Sequence, residues 1–562
     1  MTSSPPAIVL RDVTKRFATP AGDDYTALRD LDLEIGAGEF CAVVGPTGCG
    51  KSTTLTLISG LEGVTEGQVL VDGAPVTGIG DGIGFVFQND AVLPWKSVLA
   101  NVAAGPLFHG VSKKDAHARA RDWLRRVGLS GFEDRYPHQL SGGMRKRVAL
   151  AQSLINEPRI LLMDEPFSAL DVQTRSIMSD ELLALWELTR PSVVFVTHDL
   201  EEAIALADKV VVLTAGPATV KAVFPVDLPR PRTVQEIRFD AHFVEALPAD
   251  LGVPARRGPA GLPAADERGM TTAERDTMNI AEPIVKNTVT NARKAAATRR
   301  RWFVYSARLA VAVIVVGGWQ LAAGAGIVDP FFFGQPSQVV AQIVDWAQHG
   351  TSVGPLWTQA WVTLEEAILG FVIGVVFGIV LGIALGRIRV LADIFGPYIK
   401  IMNSIPRIVL GSIFVVWLGL GLSSKVMLAV VLVFFAVFFN AFQGAREVDR
   451  NLIANVRILG ASRGQVTRQV VLPSAVTWII ASMHVSFGFA LIGAIVGEFL
   501  GADQGLGLLI RQAQGTFNPN GVFAAMLIIA VVALIAEGLI TLLENRLLSW
   551  RPPALSTDAA GL

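Results

Sequence analysis

The spacing of apolar positions changes character twice along the 562-residue chain. Over residues 7–40 apolar and polar side chains alternate, in Ile8-Val9-Leu10 and again in Ala27-Leu28-Arg29-Asp30-Leu31-Asp32-Leu33-Glu34-Ile35. A period of two predicts strands with one buried face. Shorter runs are apolar throughout: Phe40-Cys41-Ala42-Val43-Val44, Gly84-Phe85-Val86-Phe87, Ile160-Leu161-Leu162-Met163 and Val193-Val194-Phe195-Val196. These predict fully buried strands, the core of an α/β domain. From about residue 304 the sequence is almost continuously apolar. Six segments, roughly 304–326, 362–386, 394–419, 425–443, 475–499 and 522–544, approach or exceed the ~20 residues that span a bilayer. The expected fold class is therefore an α/β domain followed by an all-α, six-span transmembrane domain.

Composition sharpens this division. Hydrophobic residues make up 51% and charged residues 17%, with mean hydropathy +0.47, a mixture that fits one soluble and one membrane part. The net charge of −1 supplies no field that would attract nucleic acid. The cysteines, Cys41 and Cys49, are too few for a disulfide framework or a zinc site and suit a reducing cytosol. The start, Met1-Thr2-Ser3-Ser4-Pro5-Pro6, lacks the basic-then-apolar order of a signal peptide, so the N-terminal part is expected to stay in the cytoplasm. Between about 254 and 300 the sequence turns rich in Pro, Ala and mixed charge, ending in Arg293, Lys294, Arg299, Arg300 and Arg301, as in a flexible linker. Met278 lies where a separately encoded membrane protein would begin, so the chain reads as a fusion. The expected limits are 1–253 for the soluble domain, 254–301 for the linker, 302–551 for the membrane domain and 552–562 for a cytoplasmic tail. The loops assigned inside carry Arg387 and Arg389, then Arg446, Arg450, Arg457, Arg463 and Arg468, then Arg546 and Arg551, whereas 327–361 carries neither Lys nor Arg. That bias places linker and C-terminus in the cytoplasm.

Chemistry concentrates in the soluble half. Gly45-Pro46-Thr47-Gly48-Cys49-Gly50-Lys51-Ser52 reads G-x-x-x-x-G-K-[ST], a phosphate-binding loop between a buried strand and the helix beginning Ser52-Thr53-Thr54. Its glycines let backbone N–H groups turn inward around phosphates, and the helix N-terminus adds positive dipole. Lys51 is placed to reach the β/γ-phosphates and Ser52 to hold Mg²⁺. Phe17 is the candidate to stack on the base of a bound nucleotide, with Tyr25 as runner-up. Strand-end polar groups follow: Gln88; Asp164, placed for Mg²⁺ through a water; Glu165, placed to polarise an attacking water; and His198. Leu140-Ser141-Gly142-Gly143-Met144 opens a basic helix, and Ser168-Ala169-Leu170-Asp171 follows the carboxylates. A single strand-end histidine or glycine turn is ordinary; the ordered set is not.

Together, over roughly 7–250, these motifs resemble the ATP-binding-cassette (ABC) ATPases. The resemblance implies that Gln88 senses the γ-phosphate and joins the Mg²⁺ site of Ser52 and Asp164. It implies that Ser141, Gly142 and Gly143 close on ATP held by a partner copy. It makes Glu165 the catalytic glutamate, Asp171 the aspartate of the loop after it, and His198 the switch histidine. Met144-Arg145-Lys146 departs from the usual Gln-x-Gln. In the membrane half, Leu459-Gly460-Ala461-Ser462 and then Val470-Val471-Leu472-Pro473 resemble the cytoplasmic coupling loop of binding-protein-dependent ABC importers, whose short helix docks in a groove of the ATPase near the loop that Gln88 would occupy here. Ala454-Asn455-Val456 replaces the usual Glu-Ala-Ala, which leaves Arg457 and Arg463 as candidates for the polar contacts. Asn403-Ser404-Ile405-Pro406-Arg407 and Gly497-Glu498-Phe499-Leu500-Gly501 resemble the nitrate/sulfonate/taurine branch.

The resemblance implies ATP-driven import of a small anionic solute, a sulfonate, nitrate or related ion, through a homodimer in the bacterial cell membrane, with a separate extracytoplasmic binding protein. Aromatic carboxylates and thiamine-precursor pyrimidines remain alternative cargoes, and export is the less favoured direction. Lys400, Asn403 and Arg407 fall at i, i+3 and i+7 and are expected to share one face of the third span, as a path that favours anions. The competing expectations are that Lys400 and Arg407 reach lipid headgroups or pair with Glu366 or Glu537, and that Pro406 unwinds the helix locally and spoils the shared face.

Overall fold

The computed structural model describes residues 6–19, 22–232, 234, 299–300, 302–547 and 550. The linker expected over 254–301, with Met278, lies outside the described residues except for 299–300, as does the tail 552–562.

The soluble half contains two sheets. Strands β1 (Ile8–Ala18) and β2 (Asp24–Ile35) pair antiparallel, and β4 (Glu66–Val71) and β5 (Ala74–Pro75) extend that sheet in the order β2-β1-β4-β5. The larger sheet uses β3 (Phe40–Val44), β6 (Ile83–Val86), β7 (Ile160–Asp164), β8 (Ser192–Thr197), β9 (Lys209–Leu213) and β10 (Val220–Pro225), in the order β10-β9-β3-β8-β7-β6. Its strands from β9 to β6 run parallel, and β10 closes the edge antiparallel. The continuous apolar runs follow from this position. Alternate residues of β3 enter different cores: Phe40, Ala42 and Val44 on one side, Cys41 and Val43 on the other.

The parallel register brings strand ends together. Val44 lies opposite Thr197, and Asp164 opposite Val196. The residues that follow each strand, from Gly45, Glu165 and His198 onward, therefore emerge at one edge, where ligands of parallel sheets bind.

In the membrane half, long apolar helices cover Trp302–Gly324, Leu356–Arg387, Leu422–Arg446, Arg463–Leu500 and Pro519–Leu547. The third span departs from the single helix expected over 394–419. Its two parts, Val390–Ser404 and Arg407–Leu418, meet at 78°. Pro406 has no N–H to continue the ladder and drives Ile405 into extended backbone (ψ 132°). The common face expected for Lys400, Asn403 and Arg407 is therefore broken. Arg407 begins a 3₁₀ turn, Arg407–Val409. Its guanidinium still folds back onto Asn403 Oδ1 and lies 4.6 Å from the Phe435 ring centre, while Lys400 is exposed. The glutamates proposed as their partners are engaged elsewhere. Glu537 contacts His484 Nδ1 at 2.6 Å, and Glu366 is buried against spans four and five.

Spans two and four pack along glycines. Gly370, Gly374, Gly378 and Gly382 recur at a spacing of four on one face, and a Cβ at Gly374 would stand 2.8 Å from Val433 Cβ. Gly374→Leu is expected to lower the detergent-solubilised melting temperature, in line with overpacking costs of ~1–3 kcal/mol. Gly538→Ala, where a Cβ meets nothing within 4 Å, serves as the neutral control. Equal melts for Gly374→Leu and wild type would contradict this packing.

Candidate functional site

The phosphate-binding loop runs from β3 into the helix Lys51–Ile58. Gly50 is its fixed point: φ is +110°, and a Cβ there would stand 2.6 Å from Leu28 Cδ2. Lys51 is buried beneath the loop, its Nζ donating to Gly45 O at 2.8 Å and Pro46 O at 3.0 Å. Ser52 Oγ donates to Asp164 Oδ1 at 3.0 Å. A hydroxyl and a carboxylate at this spacing are hard oxygen donors of the kind Mg²⁺ takes, so the residues fit that ion. Burial pushes the Asp164 carboxyl above its ordinary range, opposed by the Ser52 hydrogen bond and the nearby Lys51 charge and reinforced by Glu165.

Glu165 stands at the centre of the polar edge. Its backbone adopts φ +42°, a left-handed value rare for a side chain of this kind, and its N–H donates to Val196 O at 2.9 Å. Its Oε2 lies 3.4 Å from Gln88 Nε2 and 3.2 Å from His198 Nδ1. These groups open on a cleft of about 410 Å³ lined by Phe17, Tyr25, Thr47, Gly48, Gly50, Lys51, Ser52, Thr53, Gln88, Glu165 and His198. Phe17 and Tyr25 face each other across β1 and β2, so both rings border the cleft.

Two groups of expected residues stand outside it. Ser141 caps the helix Gly142–Leu154, its Oγ accepting the Met144 N–H, and Ser141 and Gly142 are exposed. Asp171 caps Val172–Thr189 in the same way, and its hydrogen bonds to the Thr174 backbone and side chain hold its carboxyl below the usual range. Lys146 lies buried behind the Gln88 loop, with Nζ 2.6 Å from Gln88 O and 3.1 Å from Asp90 Oδ1.

The soluble and membrane halves meet around the helix Arg450–Ile458. Leu452 and Val456 bury into one core with Leu93, Val466, Val470 and Val471, while Ile458 enters the core beneath β3. The polar contact comes from Asn455, 3% exposed, whose Nδ2 donates to Ala91 O at 2.7 Å and Gln152 Oε1 at 3.0 Å. Trp95 Nε1 adds a bond to Gln469 O at 2.9 Å. Arg457 and Arg463, expected to make these contacts, are exposed. Gly460 fits because it has no Cβ, which would stand 2.6 Å from the His109 ring. Leu472 and Pro473 open the helix of the fifth span instead of entering the seat. Sequence reasoning missed Asn455, Gln152 and Trp95. Only the substitution of Asn for a small apolar residue in the middle of a docking helix marked the place.

Residues 28–168 match the family model described as ABC transporter, and residues 374–549 match the binding-protein-dependent transport system inner membrane component. The chain belongs to the ABC transporter family. It joins an ATPase to a multi-pass membrane permease and couples ATP hydrolysis to transport of small solutes. An uncharacterised ABC transporter ATP-binding protein of Methanocaldococcus jannaschii is 49% identical over 218 residues, 39% of this chain and 82% of the relative. The taurine import ATP-binding protein TauB of Burkholderia pseudomallei is 44% identical over 39% of this chain and 86% of its own. The aliphatic sulfonates import ATP-binding protein SsuB of Bacillus cereus is 39% identical over 41% of this chain and 92% of its own. A solved dimeric ATP-binding cassette, MJ0796 bound to ADP and Pi, is 33% identical over 40% of this chain and all of that one, with a TM-score of 0.36.

Glu165→Gln removes the carboxylate but keeps its hydrogen-bonding shape. It is expected to retain ATP binding and to lower steady-state phosphate release roughly a hundredfold or more, the usual scale for a general base. Wild-type release from that variant would remove Glu165 from the catalytic role.

Proposed function

We propose that this ABC transporter imports a small anionic solute, such as a sulfonate or nitrate, as a homodimer fed by a separate extracytoplasmic binding protein. The observation that carries import coupled to ATP is the seat of Arg450–Ile458 in the ATPase, with Asn455 bonded to the Gln88 side and the Ser141 helix at once. In this reading the permease follows ATP because one short helix touches both moving parts of the site. The domain assignment that goes with it is ATPase 1–253, linker 254–301 and permease 302–551, with ATPase, linker and tail in the cytoplasm.

Each ATP lies between the Lys51 loop of one copy and the Ser141-Gly142-Gly143 turn of the other. This is favoured by the exposure of that turn outside its own chain's cleft. Ser52 and Asp164, with Gln88, would hold Mg²⁺, which would supply charge neutralisation at the phosphates. Glu165 orients the attacking water and takes its proton, while His198 holds Glu165 in place. Hydrolysis then releases the paired ATPases.

The anionic cargo is supported by Arg407, a cation within the broken third span, bonded to Asn403 and stacked on Phe435. The names of the taurine and aliphatic sulfonate relatives point the same way. In cells producing matched amounts of protein, Arg407→Ala is expected to abolish sulfonate uptake with basal ATPase intact, and Arg407→Lys to restore part of it. Full uptake by Arg407→Ala would remove the anion path.

A further inference from the structure

Spans two, four and five meet at a buried polar cluster that the transport reading does not use. Glu366 of Leu356–Arg387, Lys425 of Leu422–Arg446 and Glu498 of Leu472–Leu500 are 2%, 1% and 0% exposed. Charged groups at such depth persist only when paired.

Glu498 has both oxygens occupied as acceptors. Oε1 takes the Thr363 hydroxyl at 2.6 Å, and Oε2 takes the Gly507 N–H at 2.6 Å. Thr363 Oγ1 in turn accepts the Leu506 N–H at 2.9 Å, and Gln359 Oε1 accepts the Gly505 N–H at 2.8 Å. Glu498 is thus a carboxylate that fastens the start of the helix Leu506–Gly515 to span two.

Glu366 is placed differently. It lies one helical turn beyond Thr363, whose hydroxyl bonds Glu498 Oε1, so its carboxyl stands beside that of Glu498. Its Oε2 is buried, and no N–H or O–H donor reaches it. Lys425, the cation beside both glutamates, also donates to the carbonyl oxygens of Leu420 and Gly421. The other charges facing the cluster are Glu365 on span two and Asp503 in the loop after span five, and both are acidic. Two carboxylates in contact cannot both stay ionised in such a place. Among the described residues no cluster of three or more His, Cys, Asp or Glu is placed to hold a metal ion, and the backbone of Gly505 and Gly507 packs directly on Glu498. A Cβ on Gly505 would stand 2.2 Å from its carboxyl carbon, and one on Gly507 2.9 Å from its Cβ. A proton is small enough to be held between the two carboxyls.

We propose that Glu366 and Glu498 form a proton-binding site, in which Glu366 carries one proton and donates it to Glu498. The cluster is then neutral: one carboxylic acid, one carboxylate and one ammonium. The shared proton ties span two to span five and, through Gly507, to the hairpin between spans five and six. Removing it at alkaline pH leaves two facing carboxylates, and their repulsion loosens the joint.

Glu366→Gln tests this, because its amide N–H replaces the O–H donor without a titratable proton. The full chain in lipid nanodiscs is followed by infrared spectroscopy and thermal unfolding across a pH series. Wild type is expected to show a protonated-carboxyl C=O band at neutral pH that is lost in Glu366→Gln. Its unfolding midpoint is expected to fall at alkaline pH, while that of Glu366→Gln stays level. Persistence of the full band in Glu366→Gln, or one shared pH profile, overturns the site. Absence of any protonated-carboxyl band from wild type at neutral pH overturns it without recourse to the variant.

Discussion

Asn455 reaches out of the permease and places both N–H groups of its amide on the ATPase, one on the Ala91 carbonyl and one on the Gln152 side chain. Buried donors without partners cost ~1–3 kcal/mol each, so this amide has a strong preference for one register of docking. The surrounding apolar contacts of Leu93, Leu452 and Val456 supply adhesion without direction. Gln152 in turn donates to Asn101 O, and the Asn101 side chain accepts the Leu93 N–H while donating to Leu93 O. The chain of bonds thus begins in the permease, passes through the helix that starts at Ser141, and returns to the loop beneath the permease.

The same helix carries Lys146, which holds Gln88 O and Asp90 from behind. Gln88 faces Glu165 at the front of that loop. The cleft and the docking helix therefore share one backbone segment, Gln88–Leu93. Lys146, an unusual residue when seen as sequence alone, becomes intelligible as a brace for that segment.

The ATP cleft was legible because its chemistry is local. Gly50, Lys51 and Ser52 are adjacent in sequence, and the buried strands that carry Asp164, Glu165 and His198 announce themselves as apolar runs ending in polar groups. The membrane spans were legible for the same reason. The bend in the third span was half legible: Pro406 marked the place, but a proline in an apolar run is equally compatible with a kink and with a short unwound turn. Contacts between distant segments were also hidden. Arg457 and Arg463 attracted notice by charge, yet length and charge carry such side chains to solvent, while the small neutral Asn455 could be buried and satisfied. Glu366 and Glu498, 132 residues apart in the sequence, gave no sign that they touch.

The central claim is that docking through Asn455 converts hydrolysis into movement. Asn455→Asp keeps the shape but replaces the two N–H donors with one acceptor oxygen facing the Ala91 and Gln152 oxygens. The decisive measurement is sulfonate taken up per ATP hydrolysed, made on one preparation of membrane vesicles with the proposed binding protein supplied. This account predicts that ATP hydrolysis continues while the ratio falls roughly tenfold or more, the change that ~1.4 kcal/mol of lost docking represents. An unchanged ratio in Asn455→Asp would contradict it.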